Sequence, residues 1–191
     1  MTKKGQLIQL RPAPSVDEMS DAGLVAACAT ADRTARALLF ERHVDVIHRF
    51  VARMRGSDAD VVDDLVQATF IRAFQGAGRF RGASARSWLF GIAANVVREH
   101  ARSEIRRKKA LSLVADELPR STDVRDAHLL ARLPALVAQL PHELRAAFVL
   151  VDLEGERGAD AAAALGVPEG TLWRRLFEAR QLLRKLAGGA S

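Results

Sequence analysis

Four polar side chains that could bind a metal or a basic partner follow Asp58. They recur at i, i+3, i+4 and i+7, which is one face of a helix: Asp60, Asp63, Asp64 and Gln67. Carboxylates in this arrangement could hold a divalent cation, take part in acid–base catalysis or dock a positively charged protein. Residues 58–74 contain no histidine, and no second acidic helix accompanies them, which disfavours a metal or catalytic site. The remaining alternatives are a docking face and a solvated helix start favoured by the helix dipole.

A second group of residues has the chemistry of nucleic-acid binding. Residues 76–87 form a glycine-rich segment that carries Arg79, Phe80 and Arg86. Arginine side chains can contact phosphates while an aromatic ring stacks on an unpaired base. The segment therefore predicts a loop suited to single-stranded nucleic acid.

The helix predicted after this loop, starting near Ser87, extends the same surface. One outward line of side chains recurs at helical spacing: Asn95, Arg98, Arg102, Arg106 and Lys109. Trp88 and Phe90 stand at the start of this line and could stack on bases. The alternative is a long solvated helix with both aromatic rings in the core.

Residues 158–186 follow the pattern of a helix-turn-helix. An alanine-rich helix ends at Gly166, which suits a left-handed stop, and Pro168 suits the first turn of the next helix. The second helix has an apolar stripe at helical spacing on one side and a set of polar, basic and aromatic residues on the other. That set lies where a recognition helix meets base edges: Thr171, Trp173, Arg174, Arg175 and Phe177. A helical hairpin in an ordinary bundle is the alternative.

Composition limits the class of protein. The 191 residues include 29 Lys and Arg against 23 Asp and Glu, a formal net charge of +6, which is typical of proteins that bind nucleic acid or an acidic surface. Tyrosine is absent, and the abundance of Ala, Leu and Arg predicts an all-α chain. The single cysteine, Cys28, is expected to be a small buried residue. We expect a cytoplasmic protein without membrane insertion, because no signal peptide or membrane-spanning segment is recognisable.

The chain divides into two predicted helical domains joined by a flexible linker. Residues 1–19 are predicted to be a disordered tail, and residues 20–110 the first domain. Residues 111–126 break the helical periodicity and contain proline and several acids, which indicates the linker. Residues 127–187 form the second domain, which ends in the helix-turn-helix. No motif for a metal or another cofactor is present.

Capping residues predict where the first helices begin. Ser20, Asp32 and either Ser57 or Asp58 each precede an apolar periodic segment. The helix after Asp32 is predicted to run from residue 33 to residue 55.

These segments resemble the extracytoplasmic-function (ECF) sigma factors of bacterial RNA polymerase. In the first domain the resemblance lies in DDLVQATF (63–70), RFRG (79–82) and WLFGIAAN (88–95). In the second it lies in LP (140–141), FVL (148–150), LGVPEGTL (165–172), RRL (174–176) and AR (179–180). The order and spacing of these segments make the resemblance specific.

The resemblance implies a sigma factor that binds core RNA polymerase and directs promoter-specific transcription initiation. The acidic face, made by Asp60, Asp63, Asp64 and Gln67, would dock on the clamp helices of the β′ subunit. The loop and the next helix would open the −10 element and hold a flipped base, with these candidate residues: Arg79, Phe80, Arg86, Trp88, Asn95, Arg98 and Arg102. The last helix would read the −35 element in the major groove, with these: Thr171, Trp173, Arg174, Arg175, Phe177 and Arg180.

The resemblance also implies further partners. The apolar side of residues 129–151 would meet the β-flap tip, and the linker would run through the RNA exit path. An anti-sigma factor would hold the protein inactive, and the protein would not itself be an enzyme. The chain departs from the family pattern in three places. Trp173 stands where Lys or Arg is common, and Glu178 stands where a basic residue is usual. The alanine-rich helix before the turn lacks the usual polar start.

Two other classes of protein are compatible with parts of the chain. A dimeric helix-turn-helix regulator would explain the last helix, but not the acidic face or the single-strand loop. A metal-dependent nuclease would use the clustered acids Asp58, Asp60, Asp63 and Asp64.

Overall fold

The computed structural model describes residues 19–56, 58–82, 84–111 and 129–188, and within these ranges it contains helices and no β-strand. Eight α-helices follow one another in the described ranges: α1 (Asp21–Ala29), α2 (Arg33–Arg55), α3 (Ala59–Gly76), α4 (Ala85–Leu111), α5 (Leu129–Gln139), α6 (His142–Phe148), α7 (Gly158–Leu165) and α8 (Glu169–Gly188). A 3-10 turn follows α3, and a π-helical turn over Val149–Leu153 follows α6. The all-α prediction is confirmed.

Helices α1–α4 make up the first domain and α5–α8 the second. The predicted tail lies outside the described residues except for Met19, and the predicted linker lies outside them except for Leu111. Among the helices of the described ranges, none is long and apolar enough to cross a membrane.

Side-chain caps fix the starts of the first three helices. Ser20 Oγ accepts the N–H of Gly23 at 3.3 Å, and Asp32 Oδ1 accepts that of Ala35 at 3.0 Å. Asp58, one of the two predicted candidates, caps α3. Each cap satisfies a donor of the first helical turn that has no partner within the helix. The predicted starts, and the span of α2 from residue 33 to 55, are confirmed.

Helix α4 begins earlier than its sequence pattern indicates. Its first residue is Ala85, and Ser84 Oγ accepts the N–H of Ser87 at 3.2 Å. Ser84 therefore has the capping role, and Ser87 lies within the first turn.

The core of the first domain is centred on an aromatic pair between α2 and α4. The Phe50 and Phe90 ring centroids lie 5.0 Å apart and both residues are fully buried. The expectation that Phe90 stands on the outward basic line is therefore wrong. Phe90 lies on the face of α4 that also carries three buried residues at helical spacing: Ala93, Ala94 and Val97. Burying a phenyl ring stabilises the fold by about 1.5–3 kcal/mol.

A smaller apolar cluster attaches α1 to the first domain. Leu24, Val25 and Cys28 of α1 pack with Leu39 of α2. Burial raises the pKa of the Cys28 thiol. Cys28 is a small buried residue, as its alanine-rich surroundings predicted.

The second domain has the predicted helix-turn-helix. Gly166 has φ 64° and ends α7 in the left-handed conformation, while the N–H of Val167 donates to the carbonyl oxygen of Ala162 at 3.0 Å. This is the glycine stop that the sequence predicted. On α8 the apolar stripe is buried as expected: Leu172, Leu176, Ala179 and Leu183.

The two domains pack on one another. Helix α4 lies against α7, and the approach is so close at Gly91 that a Cβ there would clash with the carbonyl oxygen of Ala164. Arg145 of α6 donates to the carbonyl oxygen of Met54, at the end of α2, at 2.5 Å. One apolar core therefore runs through both domains.

Candidate nucleic-acid and protein interfaces

The acidic face of α3 is exposed along its whole length. Asp60, Asp63, Asp64 and Gln67 all lie at the surface, and Asp63 Oδ1 is 3.3 Å from His48 Nε2 of α2. Helix α3 exposes this face because its other side is buried in the domain core through Val62, Leu65, Val66, Thr69 and Phe70. Nowhere in the described ranges do three or more His, Cys, Asp or Glu side chains lie close enough together to hold a metal ion.

An apolar groove borders the acidic face, and sequence reasoning missed it. Phe40 of α2 and Ile71 of α3 are 40% and 48% exposed, and the groove beside them has a volume of about 500 Å³. Phe40 is held by an edge contact with Phe70, with centroids 4.8 Å apart. Large apolar residues outside the buried stripes of two adjacent helices were the available signal. The surface thus combines negative charge with exposed hydrophobic side chains.

The loop between α3 and α4 brings its aromatic residue against α4. The ring centroids of Phe80 and Trp88 lie 5.2 Å apart. Both rings are partly buried against the smaller apolar cluster that attaches α1 to the domain. Arg79 is exposed, and Arg81 donates to the carbonyl oxygens of Gly78 and Phe80 at 3.0 and 2.8 Å. The loop therefore holds one aromatic pair in place and leaves the Arg79 cation at the surface.

Helix α4 presents the predicted basic line. Arg98 Nη2 donates to Asn95 Oδ1 at 2.6 Å, which orients the exposed amide of Asn95. Arg102 and Arg106 continue the line at the surface. The start of the line opens on a cavity of about 380 Å³ that the two domains share, lined by Ser84, Ser87, Trp88 and Asn95 of the first domain and by Asp160 and Ala163 of the second.

Arg86 differs from the other predicted residues, because it faces the second domain. Its Nε lies 2.8 Å from Glu156 Oε1, and its Nη2 donates to the carbonyl oxygen of Glu154 at 3.0 Å. The guanidinium also lies over the Phe90 ring, 5.4 Å from its centroid. Arg86 is thus engaged by three groups in this structure.

The predicted contact residues of α8 fall into two groups, one exposed at the surface and one held in ion pairs within the domain. Trp173 and Phe177 are 47% and 61% exposed, and Arg174 lies at the surface 4.0 Å from Glu178. Trp173 also packs on Gly158 of α7, where a Cβ would clash with the indole. These side chains share one exposed surface near the start of α8.

The other two arginines predicted to contact DNA, Arg175 and Arg180, lie in ion pairs within the second domain. Arg175 Nη1 is 2.9 Å from Glu143. Arg180 makes two hydrogen bonds with Asp152, at 2.9 and 2.6 Å, which raise the pKa of its guanidinium. Thr171 is partly buried. The sequence could not show these pairs, since Asp152 lies 28 residues from Arg180.

The fold has two helical domains, one with a helix-turn-helix, and its basic surfaces on α4 and α8 are typical of a DNA-binding protein. The acidic face on α3 is a separate surface of opposite charge. Comparison with known proteins agrees with this class. Residues 39–107 match the family model for Sigma-70 region 2, and residues 130–183 match that for Sigma-70, region 4.

Comparison with individual relatives shows which group of sigma factors the chain resembles. The chain is 37% identical over 174 residues to the ECF RNA polymerase sigma factor SigM of Mycobacterium tuberculosis, covering 90% of this chain and 86% of SigM. It resembles the structure of CnrH in complex with the cytosolic domain of CnrY, with a TM-score of 0.65, 28% identity and coverage of 90% and 99% of the two chains. The chain therefore belongs to the ECF sigma factors of bacterial RNA polymerase. Sigma factors are transcription initiation factors that bring core polymerase to promoters.

Proposed function

We propose that the two domains of this sigma factor divide promoter recognition between them. The first domain docks on core RNA polymerase and binds the opened −10 element, and the second binds the −35 element as a duplex. The observation that carries this proposal is the placement of three exposed surfaces on three helices: acid on α3, cations on α4, and aromatic and basic residues on α8. The protein acts in the cytoplasm, where core polymerase is found, and has no catalytic role of its own.

Docking on core polymerase uses α3 and the groove beside it. Asp60, Asp63, Asp64 and Gln67 supply negative charge for the basic clamp helices of the β′ subunit. The exposed rings and side chains of Phe40 and Ile71 supply apolar area that a partner helix can cover. Charge complementarity speeds association and fixes the register of docking, while buried apolar side chains supply most of the affinity.

Binding of the opened −10 element uses the loop before α4 and the start of α4. Arg79 and Arg102 are exposed cations that can track phosphates of the non-template strand, with Arg86 and Arg98 available once the second domain moves away. Phe80 and Trp88 form a ring pair beside Asn95, whose amide can pair with a base edge. Stacking and hydrogen bonds would offset the few kcal/mol that base flipping costs.

Recognition of the −35 element uses the first turns of α8. Trp173, Arg174 and Phe177 are exposed members of the predicted set that lie within these turns, with Thr171 at the helix start. Arg174 is suited to a guanine edge, and Trp173 and Phe177 to thymine methyl groups. Arg175 and Arg180 support this surface from their ion pairs with Glu143 and Asp152.

Two further protein contacts complete the proposal. The apolar side of residues 129–151 meets the β-flap tip, and an anti-sigma factor holds the protein inactive before induction. The solved relative CnrH is in complex with the cytosolic domain of CnrY, which supports regulation by a bound protein. The predicted linker between the two domains, residues 111–126, runs through the RNA exit path of the polymerase.

The proposal is tested by mixing the purified chain with sigma-free core polymerase and native promoter fragments. We expect the chain to co-elute with core and to support transcripts with defined start sites. A stand-alone repressor would do neither, so failure of both measurements would overturn the proposal.

A further inference from the structure

Two carboxylates of the second domain are buried against the first domain. Glu154 and Glu156, in the segment between α6 and α7, have side chains only 3% and 10% exposed. Glu154 pairs with Arg53 of α2 and lies 3.8 Å from Arg86. Glu156 lies 2.8 Å from Arg86 through one oxygen and accepts a hydrogen bond from Ser87 Oγ at 2.6 Å through the other.

Acidic side chains this deeply buried require positive partners, because desolvation of an unpaired carboxylate is costly. Here Glu154 forms its ion pairs with Arg53 and Arg86, and Glu156 forms its ion pair with Arg86, across the contact between the domains. The burial of these two acids therefore depends on the contact between the domains.

The same domain contact extends along α4. Gly91 lets α7 approach until its backbone meets α4, and Arg98 Nη1 lies 3.9 Å from Glu143 of α6. Glu143 in turn pairs with Arg175 of α8 at 2.9 Å. One carboxylate thus lies between a residue assigned to the −10 element and a residue assigned to the −35 element.

Two of the cations in this domain contact, Arg86 and Arg98, are residues that the proposed function assigns to the −10 element. We propose that residues 154–156 act as an internal competitor of promoter DNA, with Glu154 and Glu156 contacting Arg86 of the −10 surface in place of phosphates. This inference rests on the assignment of that surface to the −10 element. The compact chain is self-inhibited: Arg86 is engaged by Glu154 and Glu156, and α7 covers the side of α4 that carries Ser87 and Gly91.

Opening of the domain contact restores DNA binding. The apparent affinity of the first domain for single-stranded DNA equals its intrinsic affinity multiplied by the fraction of open chains. A chain that is about 90% closed would bind about tenfold more weakly than an open one. A partner that holds the two domains at separate places, as core polymerase does in the proposed function, would favour the open state.

The test uses the full chain and two unrelated ways of weakening the contact. The variant E154Q/E156Q keeps the shape of both side chains and removes their charge. The variant G91A places a methyl group against the Ala164 carbonyl while adding helix propensity to α4. The matched control E41Q/D45N removes two charges from exposed positions of α2, away from the domain contact.

Two quantities are measured for each protein: the radius of gyration by small-angle X-ray scattering, and the affinity for a short fluorescent single-stranded DNA without polymerase. Both opening variants should have a larger radius of gyration and bind the DNA about tenfold more tightly than the parent, while the control matches the parent. The inference would be overturned if both variants kept the radius of gyration and the DNA affinity of the parent. It would also be overturned if the variants had a larger radius of gyration but did not bind the DNA more tightly. Failure of the proposed function is distinguished separately, because it would abolish promoter-specific initiation by the parent chain with core polymerase.

Discussion

His43 Nε2 lies 2.9 Å from Asp21 Oδ2, where α1 packs on α2. Two effects oppose one another at this imidazole. Burial lowers the pKa of His43, and the Asp21 carboxylate raises it by less, so the pKa lies below its ordinary value of 6.5. His43 is therefore a buried neutral histidine that fixes the position of α1.

This relationship predicts acid sensitivity of the first domain. Because the folded-state pKa of His43 is lowered, the unfolded chain binds more protons as the pH falls below about 6.5, so stability present above that pH is lost below it. Urea unfolding at about pH 8 and about pH 5.5 should show this loss in the parent and a smaller loss in H43Q. Some loss remains in H43Q, since burial also lowers the pKa of His142. An equal loss in H43Q and the parent would contradict this origin.

Reversing charge on the acidic face should weaken docking without unfolding the domain. Asp63 and Asp64 are exposed on α3, so D63K/D64K places positive charge against basic clamp helices. We expect affinity for core polymerase to fall by about tenfold or more, or about 1.4 kcal/mol. The control E41K/D45K makes the same charge change on exposed positions of α2 outside the groove. Equal affinities of the two variants, measured by fluorescence anisotropy, would refute the docking assignment.

Arg174 is predicted to read one base of the −35 element. Replacing it with Ala should relax preference at one position by roughly 1–3 kcal/mol, since a bidentate contact to guanine is lost. Competition binding with a set of single-base −35 variants measures this preference. R184A, at an exposed position further along α8, should leave preference unchanged. A uniform loss across all sequences in R174A would make Arg174 a phosphate contact instead.

The turn of the helix-turn-helix depends on Gly166. With φ at 64°, an Ala side chain there would approach the following carbonyl oxygen, and G166A should destabilise the protein by roughly 1–2 kcal/mol. G170A is the matched control, because Gly170 lies in helical backbone with open space around it, and it should be neutral or stabilising. Urea unfolding compares the two, and an equal effect of both substitutions would exclude the backbone explanation.

Local signals in the sequence predicted the helices well, because their causes are local. Asp32 caps α2 and Gly166 ends α7 through contacts within a few residues. Phe90 was misplaced because its aromatic type suits both stacking on bases and packing in a core. Only the contact with Phe50, 40 positions away in the sequence, decides between them.

For the candidate site residues, the sequence predicted exposure on α3 but not the surroundings of each side chain. The acidic face of α3 is exposed as its spacing predicted, while the groove beside it depends on how α2 packs on α3. Arg86 illustrates the limit most clearly, since Glu154 lies 68 positions away. No periodic pattern connects residues so far apart, so the sequence identified Arg86 as a cation without its acidic partners.

Mapping transcription start sites tests the central claim most directly. Core polymerase would be mixed with the full chain and fragmented genomic DNA of the native cell, and the 5′ ends of the transcripts sequenced. We predict new start sites, absent with core alone, that share one sequence at −35 and another at −10. Start sites identical to those of core alone, across all native fragments, would contradict the assignment of this chain as a promoter-recognition factor.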